Sequence, residues 1–113
     1  LGFVDDSIAP LYFRAADIFC NPSNFEVMST VDVESMAAGT PILVPEGTSQ
    51  EELLFKGRNG LSFRNADPVD LSNKIGQMLD SLGTFSTIEY AKKFTPERHV
   101  EALLSIYRSL LGR

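Results

Sequence analysis

The chain has 113 residues, 43% hydrophobic and 22% charged, a length that allows one globular core and not two. Its 15 acidic and 10 basic residues give a formal net charge of -5, which disfavours binding to a phosphate backbone, so we expect no nucleic acid partner. The one cysteine, Cys20, lies in an apolar run without a nearby cysteine or histidine. This excludes a disulfide framework and a metal cluster built on it, and favours a buried, reduced thiol in a cytoplasmic protein.

Short β-like runs alternate with helical runs along the chain, as in α/β proteins. Strands are predicted at 1–4, 17–22, 41–45 and 61–63. Helices are predicted at 7–16, with Pro10 in the first turn, at 30–38, ending at Gly39, and at 49–54. The strand at 41–45 is apolar on consecutive residues, which indicates burial on both faces. No apolar run approaches the roughly 20 residues that span a bilayer, and the start "LGFVDDS" does not resemble a signal peptide, so we expect neither export nor a membrane span.

The last third of the chain is more plainly helical. A helix starts at Asp67 and Pro68, and its apolar residues fall on one face: Leu71, Ile75, Met78, Leu79 and Leu82. A weaker helix is predicted at 87–94, and Thr95-Pro96 opens a final one with a second apolar stripe: Val100, Leu103, Leu104, Tyr107, Leu110 and Leu111. The polar face of the final helix is mixed in charge, so we expect this stripe to dock on its own domain rather than on a membrane.

The stretch "NFEVMSTVDVESMAAGTP" follows the second strand and places Glu26 and Glu34 on either side of a helix start near Ser29. Parallel sheets bind ligands at the carboxyl ends of their strands, and the free N–H groups at a helix start suit a phosphate or diphosphate. Carboxylates repel phosphate but accept hydrogen bonds from paired sugar hydroxyls. The pattern therefore predicts a nucleotide sugar, with one glutamate on the ribose and the other on the transferred sugar.

These residues resemble the carboxyl-terminal donor domain of retaining GT-B glycosyltransferases of family 4, also called group 1. The resemblance rests on "GFV", "RAAD", Pro22-Ser23, the E-x7-E pair, "AAGTP" and "NGL", and it covers nearly the whole chain. It implies one partial domain over 1–113. The implied fold is a partial Rossmann-like parallel sheet, the second half of a GT-B carboxyl-terminal domain, flanked by helices with two or more helices at the C-terminus.

The resemblance also implies roles for single residues. Glu34 matches the glutamate that binds the ribose hydroxyls, and Glu26 matches the one near the transferred sugar, where it would act in catalysis by positioning the donor and stabilising positive charge. The remaining matches are segments: Met28, Ser29 and Thr30 approach the sugar and diphosphate, and Phe3 and Val4 lie near the base. Such enzymes need no metal or other cofactor in the donor site. We expect a cytoplasmic enzyme, with peripheral association at a membrane left open for its full-length form.

Several positions depart from the family pattern. Val27-Met28-Ser29 replaces the usual Gly-Phe-Gly, and valine resists the positive φ that glycine permits, so this loop is expected to differ in shape. Ser29 and Thr30 could instead donate hydroxyl hydrogen bonds to phosphate. Asp32 stands where the pattern is apolar, and we expect it to face solvent. The chain's other aromatics at core spacings, Tyr12, Phe13, Phe19 and Phe25, are expected to pack in the core rather than stack on a base.

Other parts of the family pattern are absent from this sequence. The amino-terminal acceptor domain is not present, nor are two early strands and the basic pair that clamps the diphosphate. An open sheet edge beside residues 17–22 follows, and we expect self-association through that edge or loosely held residues 1–6. The acceptor is unknown, whether glycan, lipid or small molecule. Two alternatives stay open: a GT-B-like nucleotide-sugar epimerase, for which the sequence offers no acid/base group opposite Glu26, and a catalytically silent module, which Val27-Met28-Ser29 makes credible.

Overall fold

The computed structural model describes residues 1–112 and has the predicted α/β architecture. Within those residues a sheet of three parallel strands has the order β1-β2-β3, with β1 at Phe19–Cys20, β2 at Ile42–Pro45 and β3 at Gly60–Phe63. The α-helices are α1 (Ala9–Ala15), α2 (Thr30–Ala37), α3 (Pro68–Leu79), α4 (Ile88–Ala91) and α5 (Pro96–Leu110). Two short 3-10 helices lie at Ser49–Leu53 and Leu82–Thr84. The helix predicted at 87–94 is therefore present in a shorter form.

The helix boundaries follow from capping residues. The Asp67 carboxylate accepts a hydrogen bond from the Asp70 N–H at 2.9 Å, and Pro68 occupies the first turn of α3. Gly39 follows α2 with φ at +96°, a backbone conformation that glycine adopts without strain and that ends the helix. The predicted start of α3 and end of α2 are confirmed.

Strand β2 is the centre of the fold, because its side chains enter two apolar clusters on opposite faces of the sheet. Ile42 and Val44 pack with Met36 of α2, Leu53 and Ala91. On the other face Leu43 packs with Phe63 and Met78 of α3. Every residue of β2 is buried, which confirms the prediction made from its consecutive apolar residues.

The pairing of β2 with β3 requires a glycine. Gly60 lies opposite Ile42 in the parallel register, and a Cβ atom at Gly60 would come within 2.1 Å of the Ile42 carbonyl oxygen. No side-chain adjustment relieves a contact with backbone, so any larger residue would push the two strands apart.

The strand predicted at 1–4 is wrong. These residues form no strand, the Phe3 side chain is 95% exposed, and the chain turns into α1 through hydrogen bonds from the Ile8 and Ala9 N–H groups to the Asp5 carbonyl. A strand needs a neighbour, and within residues 1–112 none flanks this segment. Strand β1 pairs only with β2, so the predicted open edge beside it is confirmed for the described residues.

The prediction that the final helix docks on its own domain is also wrong. No residue of α5 is buried, and its apolar side chains remain substantially exposed, from 36% for Leu103 to 78% for Leu110. The physical reason lies in the sheet. One face is covered by α2 and α4 and the other by α3, and the apolar clusters on the two faces include no residue of α5.

Candidate functional site

The candidate site lies where β1 and β2 end and α2 begins. Ser29 is the cap residue of α2 in an extended backbone conformation, but its side chain makes no capping hydrogen bond to the helix. Its hydroxyl oxygen instead accepts a hydrogen bond from the Asn21 side-chain amide at 3.1 Å. The first-turn N–H groups of α2 are therefore left without a capping side chain, which leaves the helix start suited to an anion.

Glu34 lies in a cleft of about 460 Å³ between α1 and α2. The cleft is lined by Asp6, Ala9, Pro10, Phe13, Glu34, Ala37 and Ala38. Glu34 is exposed and stands one helical turn after Thr30, which is also exposed at the first position of α2. The cleft thus borders the second half of α2, one turn from the helix start, with an apolar wall from α1 and carboxylates at Asp6 and Glu34.

Glu26 occupies a different place from Glu34. It is partly buried in the loop before α2 and is not among the residues that line the cleft. Its carbonyl oxygen accepts a hydrogen bond from the Ser49 hydroxyl, which ties the loop to the 3-10 helix Ser49–Leu53. Met28 and Ser29 line a smaller depression of about 220 Å³ together with Ser49, beside Glu26 rather than beside Glu34.

The residues predicted to lie near a base are separated. The Phe3 side chain is almost fully exposed, whereas Val4 lies in an apolar depression formed with α1 and Phe19. Phe13 lines the Glu34 cleft on one side and packs edge to face on Phe19, with ring centroids 5.1 Å apart. Val4 thus lines a depression that shares Ala9 and Phe13 with the Glu34 cleft, whereas Phe3 lines neither.

A buried polar network at the carboxyl ends of β1 and β2 was not anticipated from the sequence. Asp32 is 0% exposed, so the prediction that it faces solvent is wrong. Its carboxylate accepts hydrogen bonds from the Gln50 side-chain amide at 2.9 Å and from the Asn21 side-chain amide at 3.3 Å. Asp32 precedes the buried Met36 by four residues, so both lie on the inner face of α2. That spacing is the signal that could have placed it inside.

The network affects the neighbouring thiol. Burial raises the pKa of Cys20, and the negative charge of Asp32 raises it further. Cys20 is half-buried, so the expectation of a buried thiol holds only in part. Of the aromatics expected in the core, Phe25 is 96% exposed and Tyr12 is 48% exposed, so the expectation is wrong for these two.

Two general properties of residues 1–112 bear on function. No helix in this part of the chain has both the length and the apolar character to cross a bilayer. Its His, Cys, Asp and Glu side chains form no group of three that could hold a metal ion. The metal-free donor site stays a prediction.

Residues 1–81 match the family model described as "Glycosyl transferases group 1". The chain is 31% identical to alpha-monoglucosyldiacylglycerol synthase of Acholeplasma laidlawii, over 100% of the chain and 29% of that protein. It is 29% identical to D-inositol 3-phosphate glycosyltransferase of Acidothermus cellulolyticus, over 89% of the chain and 23% of that protein.

A solved structure shares the fold. Sucrose-phosphate synthase from Thermosynechococcus elongatus superimposes with a TM-score of 0.83 over 99% of this chain and 30% of that one, at 24% identity. The chain belongs to the group 1 glycosyltransferase family, and its sheet and helices form part of a GT-B fold. It spans less than a third of the length of these relatives.

Proposed function

We propose that residues 1–113 are a single partial domain, the donor-binding half of a retaining glycosyltransferase. The whole enzyme would bind a nucleotide-diphosphate sugar and transfer its glycosyl group to an acceptor held by an amino-terminal domain. The observation that carries this proposal is the position of Glu34, in a cleft between α1 and α2 and one helical turn after the uncapped start of α2, in a chain of this family.

The cleft between α1 and α2 suits a nucleoside. The apolar wall of Ala9, Pro10 and Phe13 can cover a base, and the Glu34 carboxylate can accept hydrogen bonds from both ribose hydroxyls. A ribose held at Glu34 directs its diphosphate toward Thr30, where the first-turn N–H groups of α2 point at the ligand. The sugar then reaches the loop of Met28 and Ser29.

Glu26 is proposed to act on the transferred sugar. It sits in the loop that leads into α2, so its carboxylate would lie on the sugar side of the diphosphate rather than on the ribose side. There it would position the sugar and stabilise the positive charge that develops on the ring as the diphosphate leaves. Phe3 and Val4 are proposed to lie near the base. Val4 is the better placed, because it lines an apolar depression together with residues of α1.

The electrostatics indicate that the diphosphate needs further cations. Asp32 sits in the first turn of α2 and already draws on the positive end of the helix dipole. Within residues 1–112 the salt bridges involve Arg64 with Asp67 and Asp70, and none involves Glu26, Asp32 or Glu34. We therefore propose that the basic pair of the family pattern is supplied by the rest of the enzyme and that no metal is required.

The acceptor and the cellular site are proposed more broadly. One relative is named for a glucosylated diacylglycerol and another for inositol 3-phosphate, so a lipid, a glycan or a small molecule remains the acceptor class. We place the enzyme in the cytoplasm, at the membrane surface if its acceptor is a lipid.

Calorimetric titration of the full-length enzyme with UDP, GDP and ADP tests the proposal. One nucleotide should bind, and Glu34→Ala should weaken it about 100-fold, the loss of two charge-assisted hydrogen bonds worth roughly 3 kcal/mol together. Glu101→Ala, on the exposed face of α5, is the matched control and should bind as the wild type.

A catalytically silent module is the competing function, and the exposed side chain of Val27 where the family has glycine favours it. If no nucleotide binds to the full-length protein, the silent module replaces the transferase. If a nucleotide binds equally well to Glu34→Ala, the assignment of the ribose site is wrong.

A further inference from the structure

We propose that Asp32 is a positioning residue, which holds the loop that carries Glu26 in its working place through the side-chain amides of Asn21 and Gln50. Within the catalytic account this inference rests on the proposed function. Its structural part stands on the hydrogen bonds alone and is tested separately.

Asp32 fixes the orientation of both amides. An ionised carboxylate only accepts hydrogen bonds, so Asn21 and Gln50 must turn their NH₂ groups toward it. Their carbonyl ends are then directed to the two loops. The side-chain carbonyl oxygen of Asn21 accepts from the Ser23 N–H at 3.3 Å. The side-chain carbonyl oxygen of Gln50 lies 3.4 Å from the Thr48 hydroxyl, which donates to the Pro45 backbone carbonyl at 2.8 Å.

The loop from Pro22 to Met28 is consequently held at both ends by one side chain. Asn21 bonds to Ser23 at the start of the loop and to the Ser29 hydroxyl at its end, 3.1 Å away. A further hydrogen bond, from the Gln50 side-chain amide to the backbone carbonyl of Asn21 at 3.3 Å, joins the end of β1 to the 3-10 helix. Each of these contacts depends on the direction in which Asp32 turns the two amides.

The middle of the loop is held from the other side of the same network. Ser49, next to Gln50, donates its hydroxyl hydrogen bond to the Glu26 carbonyl. The position of Gln50 therefore fixes the position of Ser49, and Ser49 fixes the backbone of Glu26 through this hydrogen bond. All buried side-chain nitrogens and oxygens of residues 1–112 have partners, so the network has no spare donor to rearrange.

Asp32→Asn breaks this arrangement without changing its size. An asparagine can accept from one of the two amides but must face the other with its own NH₂ group, so one buried donor loses its acceptor. Asn21→Asp combined with Asp32→Asn restores the match. In that double variant residue 32 donates to residue 21 and still accepts from Gln50, while the Ser23 N–H and the Ser29 hydroxyl can both donate to the new carboxylate.

The first measurement is amide hydrogen exchange of peptides covering 21–29 and 48–53 in the full-length protein, which needs no substrate. We expect faster exchange in both peptides for Asp32→Asn, and a return to the wild-type rate for the double variant. Peptides from α3 should be unchanged in all three proteins. Unchanged exchange in Asp32→Asn overturns the inference. A double variant that exchanges as fast as Asp32→Asn, or that is unfolded as Asp32→Asn is, also overturns it.

The second measurement is the kinetic consequence at Glu26. We expect kcat per nucleotide-binding site to fall about tenfold in Asp32→Asn, the effect of one lost buried hydrogen bond. The nucleoside diphosphate should bind at least as tightly as it does to the wild type, because the substitution removes a negative charge beside the start of α2. The double variant should recover kcat. Counting binding sites separates positioning from a mere loss of folded protein. Equal kcat in Asp32→Asn and wild type overturns the positioning role, whereas a wild type that binds no nucleotide overturns the proposed function and leaves the exchange result to decide the inference.

Discussion

Helix α2 buries a charged side chain, whereas helix α5 leaves its apolar side chains exposed. α2 carries an aspartate on its inner face, and that carboxylate is fully buried among amide groups. α5 carries a regular apolar stripe, and every residue on it is accessible to solvent. Placement against the sheet therefore decides burial in this molecule. A residue type that faces β2 is buried whatever its polarity, because the sheet is covered there.

The largest effect should come from shortening a side chain between α2 and β2. Met36 is 0% exposed and packs with Ile42 and Val44, so Met36→Ala should lower the free energy of unfolding by about 2–5 kcal/mol through lost burial and the cavity that remains. Urea denaturation of the 113-residue chain measures this. Met28→Ala, at a methionine that is 55% exposed, is the matched control and should change stability little. Equal losses in the two variants would mean that the packing of α2 on β2 is not the main source of stability.

Much of this fold could be predicted from local pattern. Asp67 with Pro68 marked the start of α3, Gly39 marked the end of α2, and the apolar run at 41–45 marked the doubly covered strand. Each of these signals acts through backbone geometry or burial within a few residues, so the sequence carries it directly.

The candidate site was predicted less completely, for physical reasons. Asp32 was expected to face solvent because charged side chains usually do. The amides that surround it belong to Asn21, 11 positions earlier, and Gln50, 18 positions later in the chain. Only the fold brings those partners together. The stripe on α5 failed as a prediction for the opposite reason: its pattern specifies an apolar face but does not identify the surface that would cover it.

A smaller effect should appear at Cys20, the one cysteine of the chain. Burial is the main cause of its raised pKa and the charge of Asp32 the lesser one, so Asp32→Asn should lower the pKa only partly. A lower pKa gives more thiolate at pH 8, so the variant should react faster with iodoacetamide than the wild type. The rate measured from pH 7 to pH 11 checks this, because the difference should vanish once both thiols are fully ionised. A constant rate ratio at all pH values would indicate a change in access instead, and the charge of Asp32 would not be acting on the thiol.

The smallest effect should come from a substitution in α5, and it tests whether the exposed helix contributes to stability. Leu104 is 43% exposed in the stripe, and glutamine has nearly the helix propensity of leucine, so Leu104→Gln changes the apolar face and little else. If α5 makes no packing contribution within this chain, the free energy of unfolding should change by less than about 0.5 kcal/mol. Leu43→Gln in β2 is the contrasting variant, because Leu43 is fully buried and the substitution places an unpartnered amide in the core. A loss of several kcal/mol for Leu104→Gln would show that α5 folds back onto the domain, as its apolar pattern alone predicts, and that an apolar surface for it exists beside the sheet.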